Sequence, residues 1–278
     1  MPRAKQRAMP CAKPIRSALL VSVCLSSTRA LAPRSEIVVS RRDALLGVVS
    51  TVAAPAWAFD NAIPESAKYA ERKKRRGDPP KEIGVKPRTV LGEDDDEVSV
   101  VGLKPCDGKP HCFSTTGDLE VEQRLRRGVD SLIAPWKPPA DEARPLEAVA
   151  AALAKYEPGQ GGVDGGGFKI VEASAQYVYA QFESLKTGFY DDVEFAAGAG
   201  AQAGLVLVRS SSRVGFTDFG VNAARLNYLA ARLREQGWTI AEITSKGYPD
   251  YFTTAEDAQQ AVKGDSVKSS TAFTRDRG

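Results

Sequence analysis

Acidic and basic side chains recur in the second half of the chain, and their types could bind an anion or exchange protons. The candidate set is Asp192, Glu194, Arg209, Arg213, Asp218 and Asn222. Carboxylates beside arginines suit acid/base chemistry, and guanidinium groups hold anions through charge-assisted hydrogen bonds. The same residues also suit a structural network, in which Arg213 and Asp218 bracket the turn of residues 214–219 and Asn222 caps a helix. We favour the network, and a small anionic-ligand site or hydrolase-like site is the alternative.

A pair of cysteines is the second chemical feature. Cys106 and Cys112 lie in a segment whose prolines and glycine allow a tight loop, and an oxidising compartment permits a disulfide there. Free thiols, a metal site and a redox role are the alternatives. Thioredoxin-like chemistry uses two residues between its cysteines, and zinc needs four ligands, of which His111 would be only the third. His111 is the single histidine of the chain, and we interpret it as a surface loop residue rather than a catalytic base.

Other motifs do not predict a cofactor or a metal. The glycine-rich stretch 161–167 lacks the Lys-Ser/Thr pair of a phosphate loop and precedes a strand instead of opening a helix. The acidic run 93–97 lacks the spaced ligands and turn glycine of a calcium loop. We find no basic face with interleaved aromatic residues, so the sequence does not predict nucleic-acid binding.

Apolar spacing predicts the elements that would position these residues. A helix is indicated by residues at i, i+3, i+4 and i+7, namely Leu146, Val149, Ala150 and Leu153. Four strand-like segments follow, at 168–174, 177–185, 191–197 and 205–212. Their short glycine-containing connections are typical of an antiparallel meander.

A second helix is predicted over residues 223–236. Asn222 is a good N-cap, Gly237 stands where a left-handed residue ends a helix, and Trp238 can pack back on Leu233. The predicted fold class is therefore α+β. We expect a two-layer sandwich, in which an antiparallel four-stranded meander has one helix before it and one after it.

Alternation along the strands separates two faces of this sheet. One face is apolar and should lie under the helices. The other face carries the charged set, with Glu194 close to Arg209 and Asp192 close to Ser211 or Arg213. An exposed cross-strand ion pair contributes about 0.2–1 kcal/mol, so stability alone does not require this many charges. The same face holds a candidate interaction surface of Tyr177, Tyr179, Leu205 and Leu207.

Three segments resemble a known domain family. They are YVYAQFESLKTGFYDDVEF, VLVRSSSRVGFTDFGVNAARLNYLAARLREQGW and the upstream KPCDGKPHCFSTT. Together they resemble the uncharacterised domain family 1499 (DUF1499), found in bacteria and plastids, over about residues 104–243. The resemblance implies a small domain, often in exported or plastid proteins, whose biochemical role is not established.

The first 58 residues are typical of a targeting sequence. Arg41 and Arg42 open a twin-arginine export signal that ends in a small-residue cleavage site at Ala56 and Ala58. Its apolar run is too short to span a membrane, which needs roughly 20 apolar residues. A basic segment and an apolar core, residues 1–26, precede it as in a secretory signal peptide. Residues 30–35 resemble the plastid junction of algae with a secondary plastid, with Leu31 where Phe is usual.

Four segments make up the predicted domain organisation. They are a tripartite targeting presequence at 1–58, a flexible charged linker at 59–100, the α+β domain at 101–243 and a C-terminal tail at 244–278. The presequence holds nine of the 38 basic and two of the 35 acidic residues, so the remainder has 29 basic and 33 acidic residues. Its mildly acidic balance does not favour nucleic acid. No transmembrane span is predicted, although peripheral membrane contact is compatible with the sequence.

Three consecutive targeting signals of this kind predict that the protein is located in the plastid thylakoid lumen. A bacterial periplasm is the alternative location. We expect a non-enzymatic accessory or protein-interaction factor that binds a thylakoid membrane complex or another lumenal protein. Its contacts would be the tyrosine and leucine face and the charged N-terminal extension.

Overall fold

The computed structural model describes residues 59–73, 76–92, 94, 96–119 and 131–275. The targeting residues Arg41, Arg42, Ala56 and Ala58 lie outside this part of the chain. The export and plastid assignments therefore stay predictions.

Strands and helices both occur in the described chain, with consecutive strands in two groups and two consecutive α-helices at the end. The strands are β1 (Lys86–Leu91), β2 (Glu97–Gly102), β3 (Cys112–Ser114), β4 (Phe168–Ala173), β5 (Tyr177–Glu183), β6 (Tyr190–Ala197) and β7 (Val206–Ser212). The α-helices are α1 (Pro145–Ala154), α2 (Val221–Arg234) and α3 (Pro249–Arg275). Short 3-10 segments are found at Pro64–Arg72, Gln160–Gly162 and Gly200–Gln202.

The mixed α+β class is confirmed, but the sheet has five strands rather than four. Its order is β3-β7-β6-β5-β4, with every neighbouring pair antiparallel. The strand that the sequence did not predict is β3, which pairs with β7. Three residues are too few to show an alternating pattern, so no periodicity could have indicated it. A separate two-stranded sheet pairs β1 with β2.

The main core lies between one face of the five-stranded sheet and the helices. Apolar side chains spaced at three and four residues point toward the sheet, because this spacing puts them on one side of a helix. They are Leu146, Val149 and Leu153 of α1 and Leu226, Leu229 and Leu233 of α2. The residues of the sheet face they cover were predicted from alternation and are all buried: Val178, Ala180, Phe182, Val193, Phe195, Val206 and Val208. The helices thus cover only one face of the sheet, and another segment of the chain must cover the opposite face.

The described residues of the segment predicted as a flexible linker form regular elements and contact the domain. Residues 59–104, which we call the N-terminal arm, include the Pro64–Arg72 segment and the β1–β2 hairpin. The ring of Phe59 stacks on Tyr190 at 5.4 Å between centroids, and Asn61 Oδ1 accepts a hydrogen bond from the Phe168 N–H at 2.9 Å. These tertiary contacts order the arm. Its highly charged sequence gives no sign of them, which is why it was predicted to be flexible.

The predicted C-terminal tail also differs from the expectation. Most of it forms α3, whose Tyr251 and Ala255 are buried. Tyr251 packs its ring against Phe113 of β3 at 4.6 Å. The described part of the tail therefore contributes to the core.

Candidate functional site

The sheet places three of the candidate charged residues on the face away from the helices. Val193 and Phe195 of β6 enter the main core, so the alternating Asp192 and Glu194 point to the other side. Glu194 lies opposite Arg209 of β7, and Arg209 Nη1 donates to Glu194 Oε1 at 3.2 Å. The predicted neighbourhood of Glu194 and Arg209 is present in the structure.

A second ion pair joins the end of β7 to β6. Arg213 Nε and Nη2 donate to the two carboxylate oxygens of Asp192 at 2.8 and 2.7 Å, a bidentate arrangement. The side chains of both pairs are almost completely buried, with exposed fractions of 7% or less. The expectation of exposed ion pairs was wrong, because the N-terminal arm covers this face of the sheet.

Two tyrosines of β5 complete the same network. Tyr177 donates its hydroxyl proton to Glu194 Oε2 at 2.7 Å, and Tyr179 donates to Asp192 Oδ1 at 2.6 Å. Burial, followed by the charge of Glu194, raises the pKa of Tyr177, while burial and the hydrogen bond to Asp192 raise the pKa of Tyr179 to about 12. Both phenols stay protonated at physiological pH and act as donors to the carboxylates.

The N-terminal arm closes this network from outside. The backbone N–H of Gly84 donates to Glu194 Oε2 at 2.6 Å. Leu103 is fully buried and packs with Leu207, Ala196 and Tyr177. The candidate interaction face is therefore largely covered: Tyr179 and Leu207 are buried, and Tyr177 and Leu205 are half-buried.

An ion pair that the sequence did not suggest fixes the arm to the sheet. Lys73 Nζ donates to Glu183 Oε1 and to Ser66 Oγ, both at 2.6 Å, and the Lys73 and Glu183 side chains are 2% and 0% exposed. Lys73 stands in the basic run 71–76, which is typical of a solvated segment. No local signal marks Lys73 as a residue that is buried in the fold.

Asp218 and Asn222 belong to a different cluster, on the helical side of the sheet. Asn222 is not the N-cap, because α2 begins at Val221. The Asp218 carboxylate instead accepts the Asn222 N–H and the Gly220 N–H, each at 2.9 Å, and so satisfies donors at the helix N-terminus. The Asn222 amide donates to the carbonyl of His111 at 3.0 Å, linking α2 to the strand side.

Arg225 is the centre of this second cluster and was missed by the sequence reasoning. Its side chain is fully buried and donates to Asp164 at 2.8 and 2.5 Å and to Asp191 at 2.6 Å. Burial alone would lower the pKa of Arg225, but the charges of Asp164 and Asp191 outweigh this effect and raise it. Burial raises the pKa of Asp191, and the charge of Asp164 adds to this shift.

The glycine-rich loop explains how Asp164 reaches Arg225. Asp164 has a φ of 53°, in the left-handed region that few residues other than glycine adopt. A Cβ atom at Gly166 would lie 2.7 Å from the carbonyl oxygen of Glu183, so the loop needs glycine to approach the sheet. The run 161–167 thus has a structural role in placing a buried carboxylate.

Cys106 and Cys112 form a disulfide. Both cysteines are buried. The bridge closes the loop that carries His111, whose carbonyl also accepts the Ser212 N–H at 3.0 Å. The His111 ring lies 3.4 Å from Asp107. In the described ranges, no group of three or more histidine, cysteine, aspartate or glutamate side chains could hold a metal ion.

The six predicted charged residues therefore do not form one site. Asp192, Glu194, Arg209 and Arg213 lie under the N-terminal arm, whereas Asp218 and Asn222 lie at the start of α2, on the helical side of the sheet. In both places the charged groups bind one another. A cleft of about 240 Å³ lies elsewhere, between the start of α1 and the ends of the sheet strands, and its charged lining is the surface pair Arg144 and Glu147.

Comparison with known proteins identifies a domain family. Residues 102–233 match the model of a family described as "Protein of unknown function (DUF1499)". No curated protein and no solved structure matches the chain. Among the helices within the described ranges, none has the length and apolar character needed to cross a membrane.

Proposed function

The chain contains a domain of the DUF1499 family over residues 102–233, and from this premise we propose a non-enzymatic accessory protein of the plastid thylakoid lumen. Its location rests on the twin-arginine signal and the two preceding addresses of residues 1–58. Its action is binding at the thylakoid membrane, directly or through a membrane complex.

One observation carries the proposal of a binding role. Residues 213–220, which we call the phenylalanine loop, expose Phe216 by 65% and Phe219 by 40%. Aromatic side chains are enriched at binding surfaces because they bury a large area with few rotatable bonds. The charged candidates, by contrast, are occupied by buried partners within the chain, so the loop is the better contact surface.

Binding to washed thylakoid membranes tests the proposal. The purified protein, from Phe59 to Gly278, is mixed with the membranes and sedimented. We expect it in the membrane pellet. The double variant Phe216→Ser/Phe219→Asn should stay in the supernatant, since it lacks both exposed rings. Asn tolerates the left-handed backbone of position 219.

A matched control uses another exposed apolar side chain. Val171 of β4 is 45% exposed and lies outside the loop, so Val171→Ser should sediment like the unaltered protein. If the unaltered protein stays in the supernatant with fresh membranes, the proposed function is wrong.

A further inference from the structure

The phenylalanine loop holds its apolar side chains in a defined position. The buried Asp218 carboxylate accepts hydrogen bonds from Gly220 N–H, Asn222 N–H and the hydroxyl of Tyr251, the last at 2.8 Å. The Phe219 carbonyl accepts a bond from Gln259 Nε2 of α3 at 2.9 Å. The loop is therefore tied at its centre to both α2 and α3.

Backbone strain accompanies this arrangement. Phe219 has a φ of 60°, which is unfavourable for a bulky side chain. Residues held in such conformations persist only where the surrounding structure imposes them, and they concentrate at functional sites. In this loop the strained residue is one of the two exposed phenylalanines, so the strain coincides with the display of an aromatic ring.

Further exposed apolar surface borders the loop. Val262 of α3 is 60% exposed and follows Gln259, the partner of the Phe219 carbonyl, by three residues. Residues three apart lie on the same side of a helix. Val262 therefore adds exposed apolar surface on the side of α3 that contacts Phe219.

Positive charge reaches the base of the same loop. A Cβ atom at Gly77 would lie 2.6 Å from Arg213 Cβ and from Val214 Cγ2, so the arm touches the start of the loop. Arg76, the preceding residue, lies over the ring of Tyr190 at 5.0 Å, and Arg213 lies over the same ring at 5.3 Å. Residues 71–78 contain five basic and two acidic residues.

We propose that the phenylalanine loop and the basic segment around Arg72 and Arg76 bind the surface of an anionic lipid bilayer. Aromatic rings beside cationic side chains are the combination that interfacial binding uses: the rings enter the boundary between headgroups and acyl chains, and the cations meet anionic headgroups. This inference rests on the proposed function and names the partner of the loop as lipid rather than protein.

Protein-free vesicles test the inference. The purified protein is sedimented with vesicles of phosphatidylcholine alone and with vesicles that also contain phosphatidylglycerol. We expect stronger binding to the anionic vesicles, which weakens as salt is added because screening shortens the reach of the charges. The salt titration needs no sequence variant, so it is independent of any effect on folding.

Two variants separate the apolar from the electrostatic contribution. Phe216→Ser/Phe219→Asn should lower the partition coefficient by about tenfold or more, since exposed apolar area no longer enters the bilayer. Arg72→Gln/Arg76→Gln should lower it by roughly fivefold per arginine on anionic vesicles only. Val171→Ser is the control and should bind unchanged. Thermal unfolding of each variant checks that it is folded.

Distinct outcomes overturn the inference and the function. If the protein binds washed thylakoid membranes but not anionic vesicles, its partner is a protein, and the lipid inference fails while the proposed function stands. If it binds neither, both fail. Vesicle binding that is unaffected by the phenylalanine changes would also overturn the assignment to this loop.

Discussion

The charged residues of the two buried clusters form hydrogen bonds and ion pairs with one another. Each buried carboxylate of the two clusters faces a guanidinium, an ammonium or a phenol, as required where desolvation of an unpaired charge costs several kcal/mol. The pairs Asp192–Arg213 and Glu183–Lys73 show this on the arm side, and Arg225 shows it under the helices. The residues that looked most reactive in the sequence are therefore buried and paired with one another in this fold.

Replacement of Asp191 tests the helical cluster through its pH dependence. Burial raises the pKa of Asp191 in the folded state above its usual 3.8. Its contribution to stability is then complete below the unfolded pKa and is lost as the pH rises through the folded pKa. We expect Asp191→Asn, which keeps an oxygen acceptor for Arg225, to gain stability relative to the unaltered protein as the pH rises from about 4 to about 7. Urea unfolding at several pH values measures the difference, and a constant difference would contradict the assignment.

Loss of Lys73 should destabilise the folded state strongly. Lys73→Met leaves Glu183 buried without its cation, and the expected loss in the free energy of unfolding is about 3–5 kcal/mol. Lys81→Met, a change at an exposed lysine of the same arm, should alter it by less than about 0.5 kcal/mol. The double change Lys73→Met/Glu183→Leu should recover part of the loss because it removes the stranded charge. Equal stabilities of the two single variants would show that the pair is not buried in solution.

At the scale of helices and strands, the sequence predicts an element correctly where its apolar pattern extends over many residues. The helix with Leu226, Leu229 and Leu233 on one side is present, and Gly237 has the left-handed φ of 86° that its C-terminal position requires. The Trp238 N–H donates a hydrogen bond to the carbonyl of Leu233 at the end of this helix. The short strand β3 lacks such a pattern, and it pairs with β7, which lies far along the chain. The hairpin β1–β2 pairs two neighbouring segments but also lacks a pattern that predicts it.

The contact between the arm and the sheet can be tested at Leu103. Leu103→Ala leaves a cavity against Leu207 and Ala196, and we expect a loss of about 2–5 kcal/mol in the free energy of unfolding. Val101→Ala is the matched control, since Val101 lies two residues away and is 45% exposed. Chemical denaturation of both variants compares them. A loss confined to Val101→Ala would mean that the arm does not dock as described.

The disulfide loop gives a further prediction at this scale. Cys106→Ser/Cys112→Ser opens a short loop, and the entropy released to the unfolded chain corresponds to about 2 kcal/mol. The unaltered protein from Phe59 to Gly278 should show no reactive thiol before reduction and two after unfolding in reductant, and thiol titration counts them. Two thiols in the unreduced, unfolded protein would contradict the bridge.

For the whole molecule, the arm and the helices cover opposite faces of one sheet. Phe59, which directly follows the predicted cleavage site, contacts the ring of Tyr190. Processing after Ala58 would therefore keep the complete arm on the mature protein. Loss of any residue beyond this point would begin to remove contacts with Tyr190 and Phe168.

An intact mass measurement tests this boundary. We expect protein isolated from its compartment to begin at Phe59 and to contain the disulfide. A chain that retains residues 1–58 would refute the address. A chain that begins well inside the arm would show that the covering of the second face is removed during maturation.

By itself, the sequence determined the features that depend on neighbouring residues. These are the periodicity of the two helices and of the four longer strands, the separation of apolar and polar sheet faces, the cysteine pair and the family resemblance. Such patterns are legible because helical and extended backbones place side chains at fixed intervals. The cross-strand neighbours Glu194 and Arg209 also followed from this alternation.

Only the tertiary structure decided which charges are buried and with whom. Lys73 and Glu183 are 110 residues apart, and Arg225 meets Asp164 across 61 residues. Burial of a charge depends on which distant segment covers it. No periodic pattern in the neighbouring residues shows which segment that is. For this reason the sequence grouped six residues into one site, whereas the fold divides them between the two faces of the sheet and leaves the phenylalanine loop exposed.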